Sequence, residues 1–249
     1  MPRFFVDSGQ IADGSVTLTG EDAHHVSRSL RMATGERITV CDGEGSDYLC
    51  ELTDFLPDCV RARVLETVPS ASEPPYLIRV FQGLPKGDKL DEVIRRTVEF
   101  GAGEIIPFES RRCVARIGDG ERDRKRGERR NRIAGEAAKQ CGRGRIPRCL
   151  PALPFAEAVG LAAGADLPLF CYEGAGTRPL REVLEQVSGE RSRLRSISVM
   201  VGSEGGFSPE EAESATKAGM LPVGLGPRIL RTENAAAFVL ACLCCALEM

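Results

Sequence analysis

The sequence has no tryptophan, only 5% aromatic residues and only two histidines, although 42% of its 249 residues are hydrophobic. A packed globular fold is expected, long enough for one large domain or two modest ones. The histidines, His24 and His25, are adjacent and have no nucleophile or base beside them, so they read as structural. No apolar run exceeds thirteen residues, the longest being 235–247. That is too short for a bilayer span and suits a buried helix. No basic-then-apolar segment opens the chain, so a cytoplasmic protein without a membrane part is expected. Disulfides are not expected either. The ten cysteines are scattered through a chain without an export signal and read as reduced thiols. Cys242, Cys244 and Cys245 have no second Cys/His pair at ligand spacing, which argues against a metal site.

Two phosphate-binding signatures are missing as well. A dinucleotide fold needs Gly-x-Gly-x-x-Gly after its first strand and an acid about twenty residues on, and no stretch satisfies this. A Walker loop needs Gly-Lys followed by Ser or Thr, which is absent. The net charge of −3 argues against an indiscriminate nucleic-acid binder. Its distribution is uneven. Residues 111–148 hold fourteen Arg and Lys against five Asp and Glu, a local +9 that leaves −12 elsewhere. A basic segment on an acidic protein marks a localised polyanion site. The run GERDRKRGERR within it interleaves acids, as a solvated helix with internal pairs also would.

The chain reads as two parts. Residues 1–72 are strand-rich, since GSVTLTG and ERITVCDGEGSDYLCELTDF alternate apolar and polar residues around a turn at Gly43 and Gly45. One short helix, EDAHHVSRSLRM, interrupts them. Thr19 is placed to cap it with Asp22 three residues on, and Arg28 and Arg31 fall on one face. VPSASEPPY reads as a linker. Residues 73–249 alternate strand and helix. Strands are expected at YLIRVFQGL, EIIPF, DLPLFCYE, SISVMVG and LPVGLG. Helices are expected at KGDKLDEVIRRTVEFGAG, 128–141, LREVLEQV, SPEEAESATKAG and from Thr232 onward. This alternation implies a mainly parallel α/β sheet with helices on both faces, which binds ligands where strand ends meet loops.

Three such loops, CYEGAG, VGSEGGFS and LGPRILRT, follow short apolar strands, so their tips should lie along one edge. Glycine there lets the backbone approach a flat ligand closely, and backbone donors and acceptors suit the edge of an adenine. Ser208, Pro209 and Glu211 supply a cap, a first-position proline and a capping-box acid. The charge of Glu210 and Glu211 favours a cationic ligand over a triphosphate.

VGSEGGFSPEE and LGPRILRTENAAA resemble the signature loops of the SPOUT methyltransferases. More narrowly, they resemble those of the bacterial RsmE-type 16S ribosomal RNA uridine-N3 methyltransferases. MPRFFV, LTGEDAHHVSRSLRM, LPKGDKLDEVIRRTVEFGAGEIIPFESRRCV and EAAKQCGRGRIP extend the likeness along nearly the whole chain. The resemblance implies a PUA-like β-barrel for RNA over 1–72 and a SPOUT α/β domain with a trefoil knot over 73–249. It also implies a homodimer, no metal, and S-adenosylmethionine (SAM) bound in the knot.

Carried over by position, the SAM loops are 170–174, 201–206 and 225–230. Their contacts would be Phe170, Tyr172, Glu173 and Gly174, then Val201, Gly202, Glu204, Gly205 and Gly206. Leu225, Gly226, Ile229, Leu230 and Thr232 would complete them. The implied reaction is methyl transfer to N3 of one uridine of 16S ribosomal RNA, near the decoding site of the small subunit. Arg231 would stabilise charge on a uracil carbonyl, and Glu233 would accept the N3 proton. RNA contacts would come from Arg3, Arg28, Arg31, Lys86, Lys89, Arg111, Arg112 and Arg143. Arg-Thr-Glu-Asn at 231–234 departs from the Ser-Leu-Asn of 2′-O-methylating relatives, and Asn234 stands where many family members have Thr. A transfer-RNA methyltransferase of the same fold and a non-enzymatic RNA-binding protein remain as alternatives.

Overall fold

The computed structural model describes residues 1–118 and 120–249. They form two units, one of Met1–Glu73 with Ala138–Ile146 and one of Pro74–Ala137 with Pro147–Met249.

Period-two patterning builds the first unit. Its strands are β1 (Arg3–Phe5), β2 (Ile11–Ala12), β3 (Ser15–Thr19), β4 (Arg37–Cys41), β5 (Ser46–Phe55) and β6 (Cys59–Pro69). Their order in the sheet is β1-β4-β5-β6-β3-β2, antiparallel except for β1 with β4. Val16, Leu18, Ile38, Val40 and Leu52 alternate onto one face and are fully buried. The β5–β6 register slips at Leu49/Cys50 and Leu52/Asp54, and such irregularities increase strand twist and curl a sheet. The turn before β5 is held by Asp42, whose Oδ1 accepts from the N–H groups of Glu44, Gly45 and Ser46.

Helix α1 (Gly20–His24) runs into a π-helical turn over His25–Ser29. Thr19 occupies its N-cap position but makes no side-chain cap bond. Arg31 lies beyond the helix with φ +53°, so it does not share a helical face with Arg28.

Two of the expected RNA contacts are structural instead. Arg143 is 4% exposed, and its guanidinium donates to Glu73 Oε1 at 2.8 Å and Oε2 at 2.7 Å. Glu73 Oε1 also accepts from the N–H groups of Gly144 and Arg145. Arg3 forks onto Asp47 at 2.9 and 2.7 Å and reaches Ser70 Oγ. Buried guanidiniums need paired carboxylates, and these pairs take both away from a phosphate.

The second unit begins with β7 (Leu77–Gly83), α2 (Lys89–Glu99), β8 (Ala102–Glu109), α3 (Gly120–Cys141), β9 (Arg148–Cys149) and β10 (Leu153–Pro154). It continues with α4 (Phe155–Ala163), β11 (Leu167–Cys171), β12 (Arg178–Pro179), α5 (Leu180–Ser188) and β13 (Ser196–Val201). It closes with α6 (Pro209–Lys217), β14 (Leu221–Gly224) and α7 (Thr232–Leu247). The sheet is parallel throughout, in the order β10-β8-β7-β13-β11-β14-β12 with β9 on β8. Parallel sheets are covered on both faces, which explains the continuous apolar runs of β7, β8, β11 and β13. Phe81, Ile106, Phe108, Phe170 and Met200 face α4 and α6. Helix α7 packs on β13 and against α2 and α5.

Helix α3 starts eight residues before the expected 128–141. Arg124 and Lys125 pair with Glu121 or Glu128 one turn away, and Arg126 pairs with Asp123. Exposed pairs of this spacing stabilise a helix by about 0.3–0.5 kcal/mol each, which extends it through a glycine-containing segment. Helix α4 was not expected from FAEAVGLAA, whose small residues give little apolar contrast around the helix.

Burial pushes the Glu73 carboxyl up, but the Arg143 guanidinium and two backbone N–H groups outweigh it and hold its pKa below the ordinary carboxylate value. Such a group stabilises the fold fully above its unfolded pKa, and that contribution is lost as pH falls through the lowered folded value. Glu73→Gln should cost about 3–5 kcal/mol in urea unfolding at neutral pH, because it removes a carboxylate charge paired with a buried guanidinium. The difference between variant and wild type should shrink as pH falls through the acidic range.

Candidate functional site

Parallel pairing of β11 with β13 and with β14 brings the C-terminal ends of all three strands to one edge. The loops that follow them enclose a cavity of about 840 Å³. Every residue given above as an implied SAM contact lines it except Phe170. Phe170 is fully buried behind the wall, with its ring 4.4 Å from that of Phe207. It shapes the floor and does not reach the cavity.

Glycines make the turns possible. A Cβ on Gly202 would lie 3.0 Å from Gly206 Cα and 3.2 Å from the Phe207 ring, so the loop doubles back on itself. Gly226 has φ +102°, a conformation that strains any branched residue. Gly205 differs from expectation in what surrounds it. Its Cβ would meet Arg112 Cβ at 2.9 Å, so a side chain there would displace Arg112 before it filled the cavity. Arg112 lines the cavity and donates to Gly205 O at 3.1 Å. Helix α6 starts as expected, with Glu211 N–H donating to Ser208 Oγ and Ser208 N–H donating to Glu211 Oε2. The second Glu211 oxygen accepts from Arg111 N–H at 2.7 Å.

The two inner loops are joined by residues that sequence reasoning missed. Gln82, at the end of β7, is fully buried. Its Nε2 donates to Gly83 O, Gly202 O and Thr232 Oγ1, and Thr232 Oγ1 donates to Gly202 O at 2.6 Å. The available signal was a glutamine inside the apolar run RVFQGL, in a strand covered on both faces. Ser203 was missed too. Its Oγ, Gln82 Oε1 and Glu233 Oε2 are buried without a hydrogen-bond partner, and only Arg3 Nε shares that state among the described residues. Three unpaired polar atoms at one junction, two of them on cavity-lining residues, mark the place where a ligand would complete the hydrogen bonding.

Lys89 is also at the cavity. Its Nζ lies 2.8 Å from Glu204 Oε1 and 4.0 Å from Glu233 Oε2. The hydrogen bond to Glu204 raises the Lys89 ammonium above its ordinary pKa. Burial pushes the Glu204 carboxyl up, but Lys89 and backbone N–H groups outweigh it and hold the carboxyl below its ordinary value. Among the described residues no ion pair joins Arg231 to Glu233, and Arg231 stands exposed at the cavity lining. Arg28, Arg31, Lys86 and Arg111 are exposed. Desolvation pushes the Cys171 thiol, at the cavity wall, up to about 12, so it is not a thiolate nucleophile. All ten cysteines are unbridged. Among the described residues no group of three His, Cys, Asp or Glu is placed to hold a metal, and no helix is long and apolar enough to cross a membrane.

Residues 72–244 match the RNA methyltransferase domain family, and residues 18–54 match the RNA methyltransferase PUA domain. The chain belongs to this family of RNA methyltransferases. Ribosomal RNA small subunit methyltransferase E of Bacillus subtilis is 33% identical over 97% of this chain and 95% of its own length. The crystal structure of the protein of that name from Neisseria gonorrhoeae, bound to S-adenosyl methionine, is 29% identical with a TM-score of 0.79. That match covers 99% of this chain and 98% of the other. A Legionella pneumophila methyltransferase structure with bound SAM is also 29% identical, with a TM-score of 0.78 over 98% of this chain and 97% of the other.

Thr232→Val should leave Gln82 and Gly202 O short of a partner and cost about 1–3 kcal/mol in denaturant unfolding. Thr232→Ser keeps the hydroxyl and should retain most of that stability.

Proposed function

We propose that this protein methylates N3 of one uridine of 16S ribosomal RNA, with SAM held in the cavity between the three loops. One observation carries the reading. A buried Glu233 oxygen without a hydrogen-bond partner and an exposed Arg231 flank the same glycine-walled cavity. The fit of the cofactor is supported by the unpaired polar atoms, by backbone groups of the Gly202 and Gly226 loops, and by the SAM-bound relatives. Bound there, SAM supplies an activated methyl group on a sulfonium.

The remaining chemistry belongs to the chain. Uracil N3 carries a proton and is a poor nucleophile until it loses it. Glu233 accepts that proton, directly or through water. Arg231 donates to a ring carbonyl oxygen, where negative charge gathers as the proton leaves. The two loops align acceptor and donor, which supplies much of the rate. Burial that keeps the Cys171 thiol protonated disfavours a covalent route to carbon 5.

Residues 1–72 are assigned to RNA as a PUA-like barrel, and 73–249 to methyl transfer. The curled six-stranded sheet and the PUA-domain match support the first assignment. A trefoil knot is supported by the path after β14. The chain returns from β14, which lies beyond β11 and β13, to pack α7 against α2. Phosphate contacts fall to Arg28, Arg31, Lys86 and Arg111, exposed members of the expected set that do not line the cavity, whereas Arg112 is exposed but lines it. A small-subunit substrate places the reaction in the cytoplasm. A homodimer is supported by the outer face of α7, where Phe238 is 39% exposed and lines an apolar cavity of about 560 Å³ with Leu180 and Leu184.

Arg231→Ala should keep SAM affinity in calorimetry while kcat on small subunits falls by about 10²–10³. Nuclease digestion and mass spectrometry of the reacted subunits should find N3-methyluridine in 16S ribosomal RNA. A methyl on a ribose oxygen, on carbon 5 or only on transfer RNA refutes the assignment. Sedimentation should give a dimer for the wild type and a monomer for Phe238→Glu, and a stable, active wild-type monomer sinks the dimer.

A further inference from the structure

Lys89 was expected on the RNA, as a surface cation near the start of α2. The structure puts it elsewhere. Its ammonium reaches between two carboxylates that belong to different loops of the cavity. Glu204 follows β13, and Glu233 lies in the first turn of α7. The Glu204 contact is a hydrogen bond at 2.8 Å, and the Glu233 contact is electrostatic at 4.0 Å. Lys89 itself is about two-fifths exposed, at 39%, whereas the Glu233 side chain is 15% exposed. The carboxylate is therefore the deeper of the two groups.

Glu233 has few other neighbours to set its charge. From α2, Arg96 donates to the Glu233 backbone carbonyl at 3.5 Å and to Asn234 Oδ1, and both bonds bypass the carboxylate. From the loop after β13 comes Glu204, a like charge. From the start of α7 comes Arg231, which acts on Lys89 through space but makes no ion pair with Glu233 among the described residues. From the end of β7, Gln82 is spent on Thr232 and Gly202. Without Lys89, Glu204 and Glu233 would face each other as two like charges at the wall of one cavity.

We propose that Lys89 is a positioning residue of the methyl-transfer site, its ammonium fastening Glu204 and Glu233 so that a charged Glu233 carboxylate is presented to the acceptor nitrogen. This deepens the proton-accepting role given to Glu233 and rests on it. No bond is made to Lys89 during transfer. The N3 proton passes to Glu233, and the electron pair it leaves forms the new N–CH3 bond as the methyl–sulfur bond breaks, its pair staying on sulfur to leave a neutral thioether, while Lys89 balances the carboxylate before the proton arrives.

The test compares Lys89→Met, Lys89→Arg and Lys86→Met in the full-length protein. Without substrate, NMR titration of 13C-labelled glutamate should show the Glu204 carboxyl signal moved to higher pH in Lys89→Met, because Lys89 helps to hold it low. Glu204→Gln assigns that signal. Binding of small subunits by Lys89→Met should keep the wild-type salt slope, whereas a lost phosphate contact lowers it by about one. Lys86→Met, which removes an exposed cation, should show that loss. Turnover of Lys89→Met should drop at least about tenfold, with the acid limb of the pH–rate profile moved to higher pH. Lys89→Arg should restore much of both. An unmoved Glu204 titration, or a salt slope that falls as in Lys86→Met, overturns the proposal and returns Lys89 to the RNA surface. A wild-type product other than N3-methyluridine defeats the uridine-N3 reading instead. It leaves the Glu204 titration and the salt slope, which involve no acceptor atom, to decide Lys89.

Discussion

A carboxamide with no exposed surface must find its hydrogen bonds inside the protein, and Gln82 does so at the junction of three segments. It ties the end of β7 to the Gly202 turn and to Thr232, the first residue of α7. Thr232 closes the arrangement by donating to the same Gly202 carbonyl. Strand β7 lies beside β13 in the sheet, so the side chain spans the shortest route between them. The charged groups of the cavity hang from the segments joined here. Glu204 is two residues past Gly202, and Arg231 and Glu233 flank Thr232. Weakening this node would let the two charged loops drift apart without unfolding any strand.

The basic segment illustrates how a sequence count can mislead about electrostatics. A local excess of nine positive charges suggests a broad polyanion surface. In the fold, much of that charge is committed. Arg129 pairs with Asp91 on α2, Arg148 with Glu104, Arg116 with Glu109, and Arg143 with Glu73. The paired side chains along α3 support the helix that carries them. Surface pairs of this kind contribute little each, about 0–1 kcal/mol, and phosphates can compete for the exposed ones. The buried Arg143 pair is different, because a buried guanidinium that leaves the Glu73 carboxylate must be rehydrated at large cost.

The sheet, its strand ends and the glycine loops were legible because they rest on local signals. Apolar runs bounded by glycine mark buried parallel strands, and Ser208-Pro209 with Glu211 marks a helix start whose two cap bonds both form. The likeness to a known family then named the ligand. Other features were hidden for identifiable reasons. Two-residue strands such as β9, β10 and β12 have too few positions for any periodicity. The cations Lys89, Arg112 and Arg143 look alike in sequence, and only long-range partners sort them into cavity wall, loop support and buried pair. Glu204, the Gly205 carbonyl and Glu73 are those partners, 115, 93 and 70 residues from the cations they bind. Arg31 was misplaced because its left-handed backbone ends the helix that spacing would have continued.

Depth separates the charges of the cavity. The Glu233 and Glu204 side chains are 15% and 30% exposed, while Arg228 and Arg231 are exposed around the opening. A polyanion approaching this edge meets guanidinium first and carboxylate only further in. A small ligand with a positive centre experiences the reverse, since the deeper acids favour it once it is past the rim. This layering favours phosphate at the rim and a cationic cofactor further in. The same layering sets the glycine turn apart from the phosphate loop it resembles in sequence. Glu204 occupies a position where a phosphate loop would carry no negative charge, and Lys89 is already paired with it.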